Sequence, residues 1–200
     1  MKKLLMFLVL TSFVPVLTAS AAINIGDKAP LTDVKMLDVS GEKVSMADAA
    51  DENGLMVIFS CNTCPFVKEW EKRYNDLKSF AQSHKVGMIV INSNYGSRNN
   101  GDSYEDMKSQ AAEHSYNFFY VIDEESEIAN ALGGQTTPHV FLFDKNMVLA
   151  YKGVIDDNYK NPDEVKQAHA KNAIASVAAG EKVAVSETKP LGCSIKRKTD

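Results

Sequence analysis

Two cysteines, Cys61 and Cys64, stand between a continuous apolar run and an amphipathic segment. The run at 55–59 shows no polar alternation, which is typical of a strand covered on both faces of a sheet. At 65–83 the apolar residues recur at intervals of three and four, which predicts a helix directly after the second cysteine. A strand followed by a helix predicts an α/β protein. Because functional sites in such sheets lie beyond the carboxyl ends of the strands, we expect both cysteines to lie at the functional site.

The rest of the chain supplies strands and helices in an order that fits one sheet. The sequence predicts a β-hairpin at 34–44, and further strands at 86–91, 118–122, 140–143 and 148–154. It predicts helices at 103–114, 124–132 and 163–179. Pro162 and Gly180 bracket the last helix, following the usual preference for proline at the start and glycine at the end. The polar segment 92–101 is long enough to reach over a neighbouring site.

Residues 1–21 have the three-part layout of a secretory signal peptide. Lys2 and Lys3 precede an apolar run, and small residues end the segment at Ala21. The run is shorter than the roughly 20 residues that a spanning helix needs, so we expect cleavage and no stable membrane span afterwards. The sequence therefore predicts a periplasmic or secreted protein, with 22–200 as a single domain.

Charge and cysteine count narrow the class of function. The formal net charge is −4, and acidic and basic residues are interspersed except for a short basic run at 196–198. This distribution argues against a nucleic-acid partner. Three cysteines are too few for a disulfide-stapled scaffold, and a chain of this length can bury a core without one. The cysteines are therefore candidates for chemistry.

The spacing of Cys61 and Cys64 lets them close a disulfide at the start of a helix, where partial positive charge stabilises a thiolate. Such a position typically lowers a thiol pKa from about 8.5 to between roughly 3.5 and 7.5, which favours Cys61 as nucleophile and Cys64 as resolving cysteine. The alternatives are a fixed disulfide or half of a metal site. A structural zinc site needs four ligands, and the sequence has no second CxxC or HxxxH to complete one. Exchange chemistry requires no metal and no organic cofactor.

Two motifs together resemble the thioredoxin superfamily. The CxxC leads directly into a predicted helix, and Thr137-Pro138 precedes the apolar run 140–143. In the thioredoxin superfamily, a Thr or Val precedes a cis-proline that lies opposite the active-site pair. Thr137-Pro138 matches that position. The resemblance implies a thioredoxin-like fold, with a central mixed β-sheet flanked by helices. It also implies a cis Thr137–Pro138 bond and a substrate groove in which the backbone of Thr137 is free to pair with a peptide.

The N-terminal hairpin and the long insert between the CxxC helix and Pro138 are similar to the peroxiredoxin-related branch of that superfamily, of AhpC/TSA or redoxin type. This branch includes alkyl hydroperoxide reductase and exported thiol-disulfide reductases. More narrowly, residues 61–68 together with the tail 192–196 resemble one group of thioredoxin-like proteins within it.

One departure from the branch bears on activity. Peroxiredoxins carry their peroxidatic cysteine in a Pro-x-x-x-Thr-x-x-Cys arrangement. Counted back from Cys61, the Thr and Pro positions hold Ile58 and Gly54, and counted back from Cys64 they hold Cys61 and Val57. The hydroxyl and the ring that shape the peroxide pocket are therefore missing, which argues against peroxidase activity as the main task.

Three further residues are accessory candidates. Cys193 could be a third redox thiol, which forms a disulfide with Cys61 or Cys64 or with a second chain. The alternative is a buried or unreactive thiol. His139 follows the proline and either tunes a thiolate, completes a soft copper site with two sulfurs, or is a strand residue with a satisfied hydrogen bond. Arg98 either stabilises a thiolate, binds an anionic substrate, or is solvated.

The sequence thus predicts an exported thiol-disulfide oxidoreductase that acts on a protein thiol or disulfide and needs a recycling redox partner. Two alternatives stay open: a thiol peroxidase, and a copper-binding thioredoxin-like assembly protein, although related metallochaperones usually space their cysteines by three residues. No motif encodes the direction of electron flow, because reduction potentials in this fold span roughly −270 to −120 mV. No motif encodes the oligomeric state either.

Overall fold

The computed structural model describes residues 22–198, and the predicted leader at 1–21 lies outside them. The strands are β1 (Met36–Asp38), β2 (Lys43–Val44), β3 (Gly54–Ser60), β4 (Val86–Asn92), β5 (Phe119–Ile122), β6 (Thr136–Thr137), β7 (His139–Asp144), β8 (Leu149–Gly153) and β9 (Cys193–Ser194). The α-helices are α1 (Met46–Ala49), α2 (Pro65–Trp70), α3 (Tyr74–Ser83), α4 (Tyr104–Glu113), α5 (Glu127–Leu132) and α6 (His169–Ala178). None of the helices in this part of the chain is both long and apolar enough to cross a membrane.

Seven of the strands form one sheet in the order β2-β1-β5-β4-β3-β7-β8. The central strands β3, β4 and β5 run parallel, whereas β7 pairs antiparallel with β3 and β1 pairs antiparallel with β5. The predicted mixed sheet is confirmed, and so is the hairpin, in which Met36 lies opposite Val44. The short strands β6 and β9 form a separate antiparallel pair.

Helices cover both faces of this sheet, as predicted. Met56 and Ile58 of β3 join a core with α2, α3 and α6, while the alternate residues Leu55 and Val57 join a second core with α1 and α5. Every residue of β3 is buried. This double coverage explains why the strand shows no polar alternation in the sequence.

The helix predicted at 65–83 is interrupted. A short 3-10 turn at Glu71–Arg73 separates α2 from α3. The turn is held from two sides, because Glu71 accepts a hydrogen bond from the Tyr116 hydroxyl and Arg73 donates to the carbonyl oxygen of Asn158. The apolar spacing continues through the break, so periodicity alone could not reveal it.

The prediction for the last helix was wrong at its start. Pro162–Glu164 forms only a 3-10 turn, and the backbone of Val165 is extended. The residues that follow bind the preceding loop instead of continuing a helix: the amide of Lys166 donates to Asp157 Oδ1, and the amide of Asp157 donates to the carbonyl oxygen of Gln167. The helix α6 begins only at His169 and ends close to Gly180, as predicted.

Candidate active site

The two cysteines lie at the junction between β3 and α2, where the sequence placed them. Cys61 directly follows β3, and Cys64 is the N-cap residue of α2 with Pro65 as its first helical residue. Both side chains are buried, at 1% and 3% exposed, and both are free thiols.

Thr137 contacts both sulfurs. Its hydroxyl lies 3.2 Å from Cys61 Sγ, and its carbonyl oxygen lies 3.1 Å from Cys64 Sγ. Thr137 is joined to Pro138 by a cis peptide bond, as the resemblance implied. The strand β6 therefore places the predicted groove residues directly against the cysteine pair.

The pKa values of the two thiols are shifted in opposite directions. A hydrogen bond from the Cys61 thiol, assisted by the Cys193 thiol and by the amides of Val67 and Cys193, lowers the pKa of Cys64 to about 5 against the opposing effect of burial. The carbonyl oxygen of Thr137, which accepts a hydrogen bond from the Cys64 thiol, opposes a negative charge on that sulfur. The same shared hydrogen bond, then burial and the carboxylate of Asp102, raise the pKa of Cys61 well above its usual range.

The structure thus favours a thiolate on Cys64, whereas the sequence analysis expected it on Cys61. The reason is the hydrogen bond between the two cysteines, in which the Cys61 thiol donates to Cys64. Burial and the nearby carboxylate of Asp102 further disfavour a negative charge on Cys61.

A buried polar network that the sequence analysis missed lies beneath the CxxC. Asp102 is 0% exposed, and Oδ1 accepts hydrogen bonds from the amide of Asn62 at 2.7 Å and from Asn92 at 3.0 Å. Its Oδ2 accepts from the hydroxyl of Thr63 at 2.9 Å and from Asn94 at 3.2 Å. This carboxylate holds both residues between the two cysteines in place.

The loop after β4 therefore reaches the site, as its length suggested, because Asp102 at its end binds Asn62 and Thr63. The signal that could have revealed Asp102 is its position at the end of that polar loop, directly before the N-cap of α4 at Ser103. Tyr120 of β5 adds a hydrogen bond from its hydroxyl to Asn62 Oδ1 at 2.7 Å.

Arg98 lies in the same loop but is directed away from the sulfurs. Its guanidinium donates to Asn92 Oδ1 and to the carbonyl oxygens of Asn92, Asp102 and Asp123, at 2.7 to 3.2 Å. Burial lowers the pKa of this guanidinium. In this arrangement Arg98 holds the loop closed around the carboxylate and touches neither cysteine through a hydrogen bond.

His139 is also kept from the cysteine pair. Its Nδ1 accepts a hydrogen bond from the amide of Gln135 at 3.2 Å, and its ring packs on Phe141 at 4.5 Å between centroids. Burial, assisted by the charge of Lys152, lowers its pKa to about 4. Within residues 22–198 no group of three or more His, Cys, Asp or Glu side chains is arranged to hold a metal ion, so the copper alternative gains no support.

Cys193, by contrast, joins the site from the far end of the chain. It packs against Cys61, Cys64 and Val67. The strand β9 that carries it pairs with β6, so that Cys193 lies opposite Thr137. The backbone of Thr137, which the resemblance left free for a substrate peptide, is therefore taken by the C-terminal segment of the same chain.

Comparison with solved structures identifies the class of fold. The chain is similar to an uncharacterized conserved protein from Geobacillus kaustophilus, with 31% identity and a TM-score of 0.81 over 88% of this chain and 94% of that chain. Peroxidoxin BcpB from Mycobacterium tuberculosis matches at 14% identity and a TM-score of 0.57, over 78% of this chain and 96% of that one. A secreted M. tuberculosis disulfide oxidoreductase homologous to E. coli DsbE matches at 13% identity and a TM-score of 0.53, over 74% and 96%. The last two likenesses show the fold alone, and it is the predicted thioredoxin-like fold.

The family is shown by a second comparison. Residues 25–152 match the AhpC/TSA family, so the chain belongs to that family. This confirms the peroxiredoxin-related branch that the sequence resembled. A search of curated proteins found no match. The protein is therefore a thioredoxin-like member of a family of redox enzymes.

Proposed function

We propose that this protein is a thiol-disulfide oxidoreductase that exchanges disulfides with protein substrates through Cys61 and Cys64. Cys64 is the thiolate that enters or leaves the mixed disulfide, and Cys61 is the partner thiol that closes or opens the internal disulfide. Thr137 and Pro138 form the wall of the substrate groove. A separate redox partner must recycle the pair.

One observation carries this proposal: a thiol of lowered pKa lies at a helix N-cap beside a second thiol that shares its proton. A thiolate is both the attacking species and a good leaving group in exchange, and a neighbouring thiol can displace the bound substrate. The absence of a proline and a threonine at the peroxiredoxin positions supports exchange over peroxide reduction, since Val57 and Cys61 stand there when counted back from Cys64.

We also propose that the protein acts after export, in the periplasm or outside the cell. The leader-like composition of residues 1–21 supports this location. The secreted disulfide oxidoreductase with a similar fold is consistent with it. An oxidising compartment is also where a dithiol pair has disulfide substrates to act on.

The proposal is tested by turnover of a protein disulfide. Purified mature protein is mixed with insulin and dithiothreitol, and the reduction of insulin is followed by turbidity. We expect Cys64→Ser, and Cys61→Ser combined with Cys193→Ser, each to lower the catalysed rate by at least about a hundredfold, because the first removes the attacking thiolate and the second removes every thiol that packs beside it. Ser79→Ala, at an exposed position of α3, is the control and should leave the rate unchanged.

A parallel assay follows hydrogen peroxide in place of insulin. Rapid peroxide consumption that Cys64→Ser abolishes, without catalysed insulin reduction, would make the protein a thiol peroxidase and overturn the proposal. Insulin reduction that persists in both cysteine variants would overturn it as well.

A further inference from the structure

We propose that the C-terminal segment 192–198 is an intramolecular substrate of the active site, and that Cys193 exchanges with the Cys61–Cys64 disulfide to form a Cys64–Cys193 disulfide. This inference deepens the proposed function and rests on it. It makes Cys193 a third redox-active thiol and makes the tail the strand that occupies the substrate groove.

The first argument is the pairing of the backbone. β9 adds to β6 as an antiparallel strand, with Cys193 opposite Thr137 and Ser194 opposite Thr136. Pairing of an extended segment with an exposed strand edge is a general way for a protein to bind a peptide. Here that edge is the one whose threonine touches both active-site sulfurs, so the tail lies where a client peptide would have to lie.

The second argument is that the tail is anchored over its whole length beyond the cysteine. The amide of Ile195 donates to the carbonyl oxygen of Gln135 at 3.1 Å, and the amide of Gly96 donates to the carbonyl oxygen of Lys196 at 2.8 Å. The guanidinium of Arg197 donates to Asn130 Oδ1 at 2.7 Å. These contacts fix the register of the segment.

The third argument is the alternation of side chains along the segment. Cys193 packs on the cysteine pair, Ser194 is exposed, and Ile195 is buried in the core that contains Phe59. This period of two is that of a strand with one face on the protein. At Gly192 a Cβ atom would collide with the carbonyl oxygen of Thr137, so the residue before the cysteine must be glycine for the segment to lie this close.

The exchange step balances without any added oxidant. In the oxidised pair, Cys193 Sγ attacks Cys64 Sγ, the Cys61–Cys64 bond breaks and the Cys64–Cys193 bond forms. The bonding electron pair leaves on Cys61 Sγ, which takes up the proton that Cys193 gives up. Packing of Cys193 against Cys64 supplies the proximity that this attack requires.

The consequence for recognition follows from the same contacts. A client strand has to displace this segment, because both use the edge of β6. The segment also describes the class of peptide that fits: an extended peptide with glycine directly before the cysteine and an aliphatic residue two positions after it.

The experiment uses full mature protein carrying Cys61→Ser, oxidised with glutathione disulfide. Glutathione first forms a mixed disulfide with Cys64, and attack by Cys193 then releases it. After the remaining thiols are blocked, tryptic digestion without reductant should yield peptide 44–68 linked to peptide 183–196. A stable glutathione adduct on Cys64 without that link would overturn the proposal. Circular dichroism verifies folding, and Cys61→Ala replaces the serine variant if the spectrum changes.

The matched control moves the thiol by one position along the strand. It combines Cys61→Ser with Cys193→Ser and Ser194→Cys, which directs the tail thiol toward solvent. If β9 is docked in its observed register, the link should form at least about tenfold more slowly in this control. Equal rates would show a loose tail and would overturn the proposal.

Wild-type protein separates this inference from the proposed function. If wild-type protein reduces insulin but the Cys64–Cys193 link does not form in Cys61→Ser, the tail proposal fails and the exchange activity stands. If wild-type protein does not catalyse exchange, the proposed function fails, and the link in Cys61→Ser still decides whether Cys193 is redox-active.

Discussion

The reduction potential of the cysteine pair should depend on pH with half the slope of an ordinary dithiol. The pKa of Cys64 is lowered to about 5, and that of Cys61 is raised well above 9. Between pH 6 and pH 8 the reduced pair therefore holds one proton, and reduction consumes two electrons and one proton. Cys193, with its pKa raised to about 11, stays protonated throughout and adds no change.

The magnitude follows from the proton count. One pH unit changes the equilibrium constant tenfold per proton, and a tenfold change is 29.6 mV for a two-electron couple. We therefore expect the potential to fall by about 30 mV per pH unit from pH 6 to pH 8, against about 59 mV if both thiols of the reduced pair were protonated. Below the pKa of Cys64 the slope should steepen toward the larger value.

The assay equilibrates the protein with dithiothreitol redox buffers at pH 6, 7 and 8 and quenches it with a maleimide. Intact mass then gives the fraction reduced, and the midpoint is plotted against pH. A slope near 59 mV over this window would show that Cys64 is protonated and would refute the assignment of the thiolate. The alanine variant Cys193→Ala removes a hydrogen-bond donor to Cys64, so the pH at which the slope changes should lie closer to neutral in this variant.

Three further predictions concern the scaffold around the site, all measured as the free energy of unfolding in urea. Asp102→Asn should cost about 1–3 kcal/mol, because the amide cannot accept all the hydrogen bonds that converge on the buried carboxylate. Arg73→Ala should cost about 3–5 kcal/mol, because it leaves Asp156 buried without its partner. Ser103→Ala should cost about 1 kcal/mol through loss of the α4 capping box. A loss below about 0.5 kcal/mol in the first two would contradict this account.

The sheet and the location of the site could be predicted because their signals are local. The apolar run before Cys61 is buried on both faces, so its composition alone indicated a central strand. The two residues Thr137 and Pro138 were placed opposite the cysteines by a family resemblance, and the cis bond between them agrees with it. The helix α4 was predicted within one residue at each end.

Features that depend on distant contacts could not be predicted from the sequence. The strand β9 has only two residues, too few to show any periodicity, and its partner β6 lies more than fifty positions earlier in the chain. Asp102 looked like one polar loop residue among many, and only folding shows that four donors converge on it. The thiolate is assigned to Cys64 instead of Cys61 because the acidity of each thiol depends on its hydrogen bonds and on the carboxylate of Asp102, which only the folded chain brings together.

The central claim is that Cys61 and Cys64 form a reversible exchange pair. The most direct test equilibrates the mature wild-type protein in a series of glutathione redox buffers, traps thiols by alkylation, and counts them by intact mass. The account predicts a reversible two-thiol transition that is lost in Cys64→Ser. A disulfide that stays oxidised in every buffer, or thiols that titrate without coupling, would contradict it.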